Sequence, residues 1–225
     1  MRPAVFIAGA HTDIGKTHAA CGLIRAARGR GRAVAALKPV ASGLDAADLA
    51  SSDPGRLLAA LGRPLDAASL AEICPLRFAA PLSPPMAARR EGRALILEQV
   101  IAPCRAALAR ADHDLLLIEG VGGLMSPIAE DATGLDLMTA LAIPAVIVGG
   151  AYLGAISHAL TALVAARAAG VEVRALIVSQ CADPDAPDFA ETVIDVQRFA
   201  GSTPVVALAR DTDDSWAGEV LERLL

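Results

Sequence analysis

Short, unbroken apolar runs alternate with helical patterns from one end of this chain to the other. Residues 5–8, 33–37, 114–118, 145–148, 172–178 and 204–208 read as strands. They lack the in–out alternation of a half-solvated sheet, so both faces must be covered by other elements. Helical patterns separate them, over residues 17–29, 95–111, 135–142, 155–169, 188–200 and 214–225. Asp53 and Pro54 open a further short helix, with an acidic cap and a proline in its first turn. Residues 74–86, rich in Pro and Ala, read as a looser connection. This order predicts an α/β fold: a doubly wound, mainly parallel sheet with helices on both faces, in one domain spanning residues 1–225.

In such a sheet the ligand crevice lies at the carboxyl ends of the strands. Three motifs fall there. The first is Gly15-Lys16-Thr17, between the first strand and the first helix. It reads as a P-loop, in which backbone N–H groups and the helix dipole hold phosphate and the Thr17 hydroxyl ligates Mg²⁺. The preceding glycine is Gly9, so five residues separate the two glycines instead of the usual four. The second motif, Lys38-Pro39-Val40-Ala41-Ser42-Gly43, follows the second strand and suits an anion-holding loop. The third is Glu119-Gly120-Val121-Gly122-Gly123, after the strand at 114–118.

Lys16 and Lys38 are the chain's only lysines, against eighteen arginines. An ammonium is a compact point charge on a thin stem, which suits reaching past backbone donors to phosphate oxygens. Codon bias would explain scarce lysine but not its placement in two strand-exit loops. Mg²⁺ takes one or two carboxylates besides phosphate and water, and Glu119 is placed to be one of them. Asp53 has two readings of equal weight, a second metal carboxylate or an ordinary helix N-cap. His11, inside the P-loop, is either a ligand contact or a solvated loop residue.

Net charge is −5, with no basic block, which excludes an extended nucleic-acid footprint. Arg25, Arg28, Arg30 and Arg32 read as the exposed basic end of a helix. No apolar run reaches the ~18 residues of a membrane span, and no leader is apparent, so a cytoplasmic protein is expected. The four cysteines have no metal-ligand spacing and read as buried thiols.

Together the motifs resemble those of the dethiobiotin synthetases. The family's G-T-D-T-x-x-G-K-T, with the same five-residue gap, is matched by Gly9 to Thr17. Its K-P-V-x-S-G is matched by Lys38 to Gly43, and its E-G-A-G-G by Glu119 to Gly123. F-x-x-P-x-S-P is matched at Phe78, Pro81, Ser83 and Pro84, and L-G-x-I-N-H at Leu153 to His158. The resemblance implies a P-loop NTPase-type fold and an ATP-dependent cyclo-ligase of biotin synthesis. The substrates would be 7,8-diaminononanoate, CO2 and ATP with Mg²⁺, and the enzyme would be a homodimer. It implies Lys38 and Lys16 as catalytic residues. Asp13, Ile14, Gly15, Lys16, Thr17, His18, Asp53, Glu119, Gly120, Val121, Gly122, Ser179 and Gln180 would bind nucleotide. Thr12, Ser42 and Gly154 would bind substrate, and Thr17, Asp53 and Glu119 the metal. The chain departs from the family pattern at His11, Pro85 and Ser157. It also has Ser179-Gln180 where Asn usually meets the base, and residues 209–211 do not clearly match the closing loop.

Two other readings share the P-loop. Amidotransferase-type synthetases of cobalamin synthesis carry an added glutaminase domain, for which 225 residues leave no room. Nucleotide-switched partitioning or positioning ATPases of the ParA/MinD type start their loop with a signature lysine, where this chain has Ala8-Gly9-Ala10.

Overall fold

A computed structural model describes residues 3–210 and 212–225. In chain order the strands are β1 (Ala4–Gly9), β2 (Val34–Leu37), β3 (Val40–Ala41), β4 (Leu76–Arg77), β5 (Leu115–Glu119), β6 (Pro127–Ala129), β7 (Ala132–Thr133), β8 (Ala145–Gly150), β9 (Val173–Ser179) and β10 (Val205–Leu208). The helices are α1 (Lys16–Gly29), α2 (Asp53–Leu61), α3 (Ala67–Ile73), α4 (Pro84–Arg90), α5 (Leu97–Ala109), α6 (Gly134–Leu141), α7 (Ala155–Ala168), α8 (Phe189–Phe199) and α9 (Ser215–Leu224). Six strands form one parallel sheet in the order β10-β9-β8-β1-β5-β2. β1 lies at its centre, where the chain turns from building one half to building the other. That is the switch point at which such sheets open a crevice.

Strand parity assigns each residue a side. Val5 and Ile7 pack with α1, α2 and α9, whereas Phe6 and Ala8 pack with α4 to α8 on the other face. Leu115 and Leu117 likewise join the first core, and Leu116 and Ile118 the second. Successive side chains of a strand point to opposite faces, so an apolar run with no polar alternation fills two cores at once. Glu119 ends β5 on the parity of Leu115 and Leu117, which turns its carboxylate toward the start of α1.

Helix α1 buries Ala19, Ala20, Leu23, Ile24 and Ala27, a stripe at helical spacing. On the same helix the indole of Trp216, from α9, lies over Gly22, where an added Cβ would sit 2.5 Å from the ring. The basic end of α1 is exposed as expected, but several of its arginines have partners. Arg25 donates to Asp214 at 2.6 and 2.8 Å, and Arg28 to the Ala60 carbonyl at 2.8 Å.

Two expectations need correction. Residues 74–86 are not a loose connection throughout. They contain β4, which pairs in parallel with β3, and the start of α4. Asp53 does not cap α2 either. Ser52 does, its hydroxyl accepting from Gly55 N at 3.3 Å, and Asp53 is the first helical residue. Cys21, Cys74 and Cys104 are buried free thiols, and Cys181 is half-buried. Among the described residues no helix is long and apolar enough to cross a membrane.

Candidate active site

The loop from β1 to α1 contains two residues of positive φ, Asp13 at 56° and Gly15 at 97°. A side chain at Gly15 would also collide with Ser179, whose hydroxyl lies 2.5 Å from where a Cβ would stand. Glycine is therefore required there twice over, by conformation and by space. The turn aims the first N–H groups of α1 into a cleft of about 540 Å³.

Asp13, Ile14, Gly15, Lys16, Thr17, His18, Asp53, Ser179 and Gln180 all line this cleft. Lys16 is buried, and its Nζ donates to the His11 carbonyl at 3.0 Å. Burial, reinforced by the nearby Lys38 cation, lowers its pKa to about 8, despite the opposing pull of Glu119 and Asp53. Burial also holds His18 below its ordinary value, with the Arg56 guanidinium the next cause.

Behind the cleft stands a compact polar knot. Lys38 is 1% exposed. Its Nζ donates to Asp53 Oδ2 and to Glu119 Oε1, each at 2.6 Å, and to the Gly120 carbonyl at 3.0 Å. The Thr17 hydroxyl lies 2.7 Å from Asp53 Oδ1 and 2.8 Å from Glu119 Oε1. Burial alone would lower the Lys38 pKa, but the two carboxylates outweigh it and hold the ammonium above its ordinary range. Burial works to raise Asp53, yet Lys38 and Thr17 bring it down to about 2. Lys38 is thus no strand-end lysine stretching out to solvent. Because Ser52 takes the capping role, the Asp53 carboxylate is free to join this knot.

The same knot is suited to a divalent cation. Glu119 Oε2 is buried and has no hydrogen-bond partner among the described residues. With Asp53 and Thr17 it completes a set of hard oxygen donors of the kind Mg²⁺ selects. Among the described residues no cluster of three or more His, Cys, Asp or Glu side chains could cage a metal unaided. Two carboxylates and a hydroxyl, completed by phosphate and water, match the usual habit of Mg²⁺ instead.

The remaining expected residues lie around this centre. Gly120 belongs to the knot through its carbonyl. Val121 and Gly122 are absent from the cleft lining. The turn they form abuts the P-loop tip, where a Cβ on Gly122 would come 3.7 Å from Thr12 Oγ1. Ser42 donates to the Leu82 carbonyl at 2.5 Å, bracing the loop beyond Lys38. Gly154 caps α7 with φ 94° and lines a second, apolar groove instead. Tyr152 belongs to both cavities. Its hydroxyl pairs with His158 Nδ1 at 2.7 Å, and the His158 ring stacks 5.7 Å from that of His11.

Several lining residues escape a sequence reading: Arg56, Gly150, Tyr152, Cys181 and Leu208. Gly150, Cys181, Leu208 and Arg210 lie at or just past the carboxyl ends of β8, β9 and β10. The predicted sheet could have flagged those positions without any motif. The loop at 208–210 does reach the cleft, and Arg210 N donates to Gln180 Oε1 at 3.2 Å. Asp211 lies outside the described residues.

Comparison with known proteins separates fold from family. In solved structures, the MinC:MinD cell division complex of Aquifex aeolicus aligns with a TM-score of 0.55 at 12% identity, covering 97% of this chain and 86% of that one. A ParA family ATPase from Chlorobium tepidum TLS gives 0.52 at 13%, covering 100% and 91%. At such identities the likeness shows the P-loop fold alone. A family model described as an AAA domain matches residues 3–210. Curated ATP-dependent dethiobiotin synthetases are far more similar. That of Phenylobacterium zucineum (strain HLK1) is 53% identical over 97% of this chain and 94% of its own length. That of Caulobacter sp. (strain K31) is 46% identical over 99% and 94%, and that of Methylobacterium nodulans 49% over 92% and 92%. Identity at this level, over nearly the whole of each partner, goes beyond a shared fold: the chain belongs to the ATP-dependent dethiobiotin synthetases, ligases of biotin biosynthesis.

Proposed function

We propose that the chain, as a single synthetase domain, closes 7,8-diaminononanoate and CO2 to dethiobiotin at the expense of ATP, and that Lys38 is the centre of the reaction. One amine adds to CO2, losing a proton, and gives a carbamate. A carbamate oxygen attacks the γ-phosphorus, and ADP leaves. The second amine attacks the carbonyl carbon of the resulting carbamic–phosphoric anhydride. Phosphate departs and a cyclic urea remains. Phosphoryl transfer depends mainly on positioning and charge stabilisation, so fixed cations supply most of what is needed.

The observation that carries this reading is the placement of Lys38. Its ammonium shares two carboxylates with Thr17, at the phosphate end of the cleft. Its own loop continues to Ser42, on the side assigned to substrate. This placement supports a buried cation acting on migrating phosphoryl and carbamate oxygens, with Lys16 buried nearby. Lys16 would exchange the His11 carbonyl for phosphate oxygens. Thr17, Asp53 and Glu119 would hold Mg²⁺, which, when bound, neutralises phosphate charge. Thr12 and Ser42 would contact the diamine end.

The substrate's carboxylate tail is assigned to Gly154 at the start of α7, reached from the partner of a homodimer. Exposed Leu153, Val164 and Phe199 on α7, α8 and their approach support such a pairing. The same reading has the enzyme working in the cytoplasm, where ATP is supplied.

The direct test measures dethiobiotin formed from the diamine and bicarbonate with ATP, CTP and GTP compared. Stimulation of phosphate release by the diamine is expected. Release that ignores the diamine would overturn the proposal, and the nucleotide series reports how the Ser179–Gln180 end treats the base.

A further inference from the structure

Arginine is this chain's default surface cation, and most of its guanidinium groups are engaged. Arg25, Arg63, Arg89 and Arg110 pair with carboxylates, and Arg28 and Arg167 with backbone carbonyls. Among the described residues, Arg32, Arg56, Arg90 and Arg210 alone have side chains with neither a hydrogen bond nor an ion pair. Arg56 and Arg210 both line the cleft, and no engaged arginine does.

Arg56 is not free for want of a neighbour. Arg56 stands three residues after Asp53 on α2, the spacing at which an acid and a base ordinarily pair. Asp53 is instead committed to Thr17 and Lys38. The Arg56 carbonyl accepts from Cys21 Sγ at 3.4 Å, which ties that turn of α2 to α1. Arg210 approaches from another element, the loop after β10, with its backbone fixed by Gln180. Asp53, three residues before Arg56, accepts from Thr17, and Ser179, next to Gln180, lies against the P-loop at Gly15, so both arginines border the phosphate-binding loop.

We propose that Arg56 and Arg210 are binding residues for the α- and β-phosphates of the nucleotide, reaching it from two separate elements of the cleft. A guanidinium presents a rigid fork that matches paired phosphate oxygens. The inference rests on the cleft being the nucleotide site and deepens that reading. Because these phosphates are retained in the product, the arginines hold ATP and ADP alike. Such uniform binding lowers KM without accelerating the chemical step.

Calorimetric Kd values for ATP and ADP, with steady-state kinetics, test this on Arg56→Ala, Arg56→Gln and Arg210→Ala. Arg90→Ala serves as a charge-matched control away from the cleft, and Lys16→Ala as a test of the cleft itself. Each Arg56 and Arg210 variant should weaken ATP and ADP by about tenfold, in parallel, as expected for a charge-assisted hydrogen bond. KM for ATP should rise with Kd while kcat falls far less, and the salt dependence of Kd should become shallower. Wild-type affinity in all three variants, with Lys16→Ala impaired, would overturn the proposal and leave the nucleotide site standing. Wild-type affinity in Lys16→Ala would overturn both.

Discussion

The Lys38 ammonium has three protons and three acceptors within 3.0 Å, from Asp53, Glu119 and Gly120. Its donors are saturated, and at 1% exposure a longer, planar head would have to displace its neighbours. Lys38→Arg conserves charge but should lower kcat by about 10²–10³-fold, the usual loss when a preorganised charge is misplaced. Nucleotide affinity should stay within a few fold, so kcat and Kd measured together check it; turnover near wild type would refute the role. Lys16 gives a pH signature. Its pKa in the free protein is about 8, so the ammonium needed for phosphate is lost as pH rises through that value. The profile of kcat/KM for ATP should therefore fall above about pH 8, by about tenfold per unit. Phosphate contact favours the charged form, so the matching fall in kcat should lie at higher pH. A kcat/KM that stays level past pH 9 would contradict the assignment.

At the scale of elements, α2 does the most for the site relative to its length. Ser52 caps it, and Gly55 lets its first turn approach the preceding loop, where a Cβ would come 2.0 Å from the Leu49 carbonyl. Ser52→Ala should cost about 1 kcal/mol in chemical denaturation. Gly55→Ala meets backbone and cannot be relieved by a rotamer change. It should displace Asp53 and Arg56 together, raising KM for ATP more than Ser52→Ala does. Kinetics of the pair, with melting curves, separate the two effects. This helix also shows where a sequence reading stops. The chemistry of Asp53 suits a cap and a metal ligand equally, and only the conformation of Ser52 removes the cap reading. The sheet was legible because its strands are mostly apolar runs of four to seven residues. β3 and β4 were not, since two-residue strands carry no period. Arg56 gave no sign, and Arg210 none beyond its place in the 209–211 loop, because arginine is everywhere in this chain and what distinguishes these two is the partners they lack.

At the scale of the whole molecule, the α7–α8 face is the exposed apolar surface to account for. Leu153 is 89% exposed and Phe199 64%, beside the groove lined by Ile156 and Leu160. If this face pairs two copies, sedimentation should give twice the chain mass. Leu153→Glu combined with Phe199→Glu should give a monomer that keeps its melting temperature and nucleotide affinity but loses affinity for the diamine. A monomeric wild type would remove the partner from the site.

The single tryptophan adds a practical consequence. Trp216 rests on the back of α1, the helix whose first turn faces the cleft. Its emission should therefore report strain transmitted along α1, giving an intrinsic optical signal for nucleotide titrations that needs no label and no coupled assay.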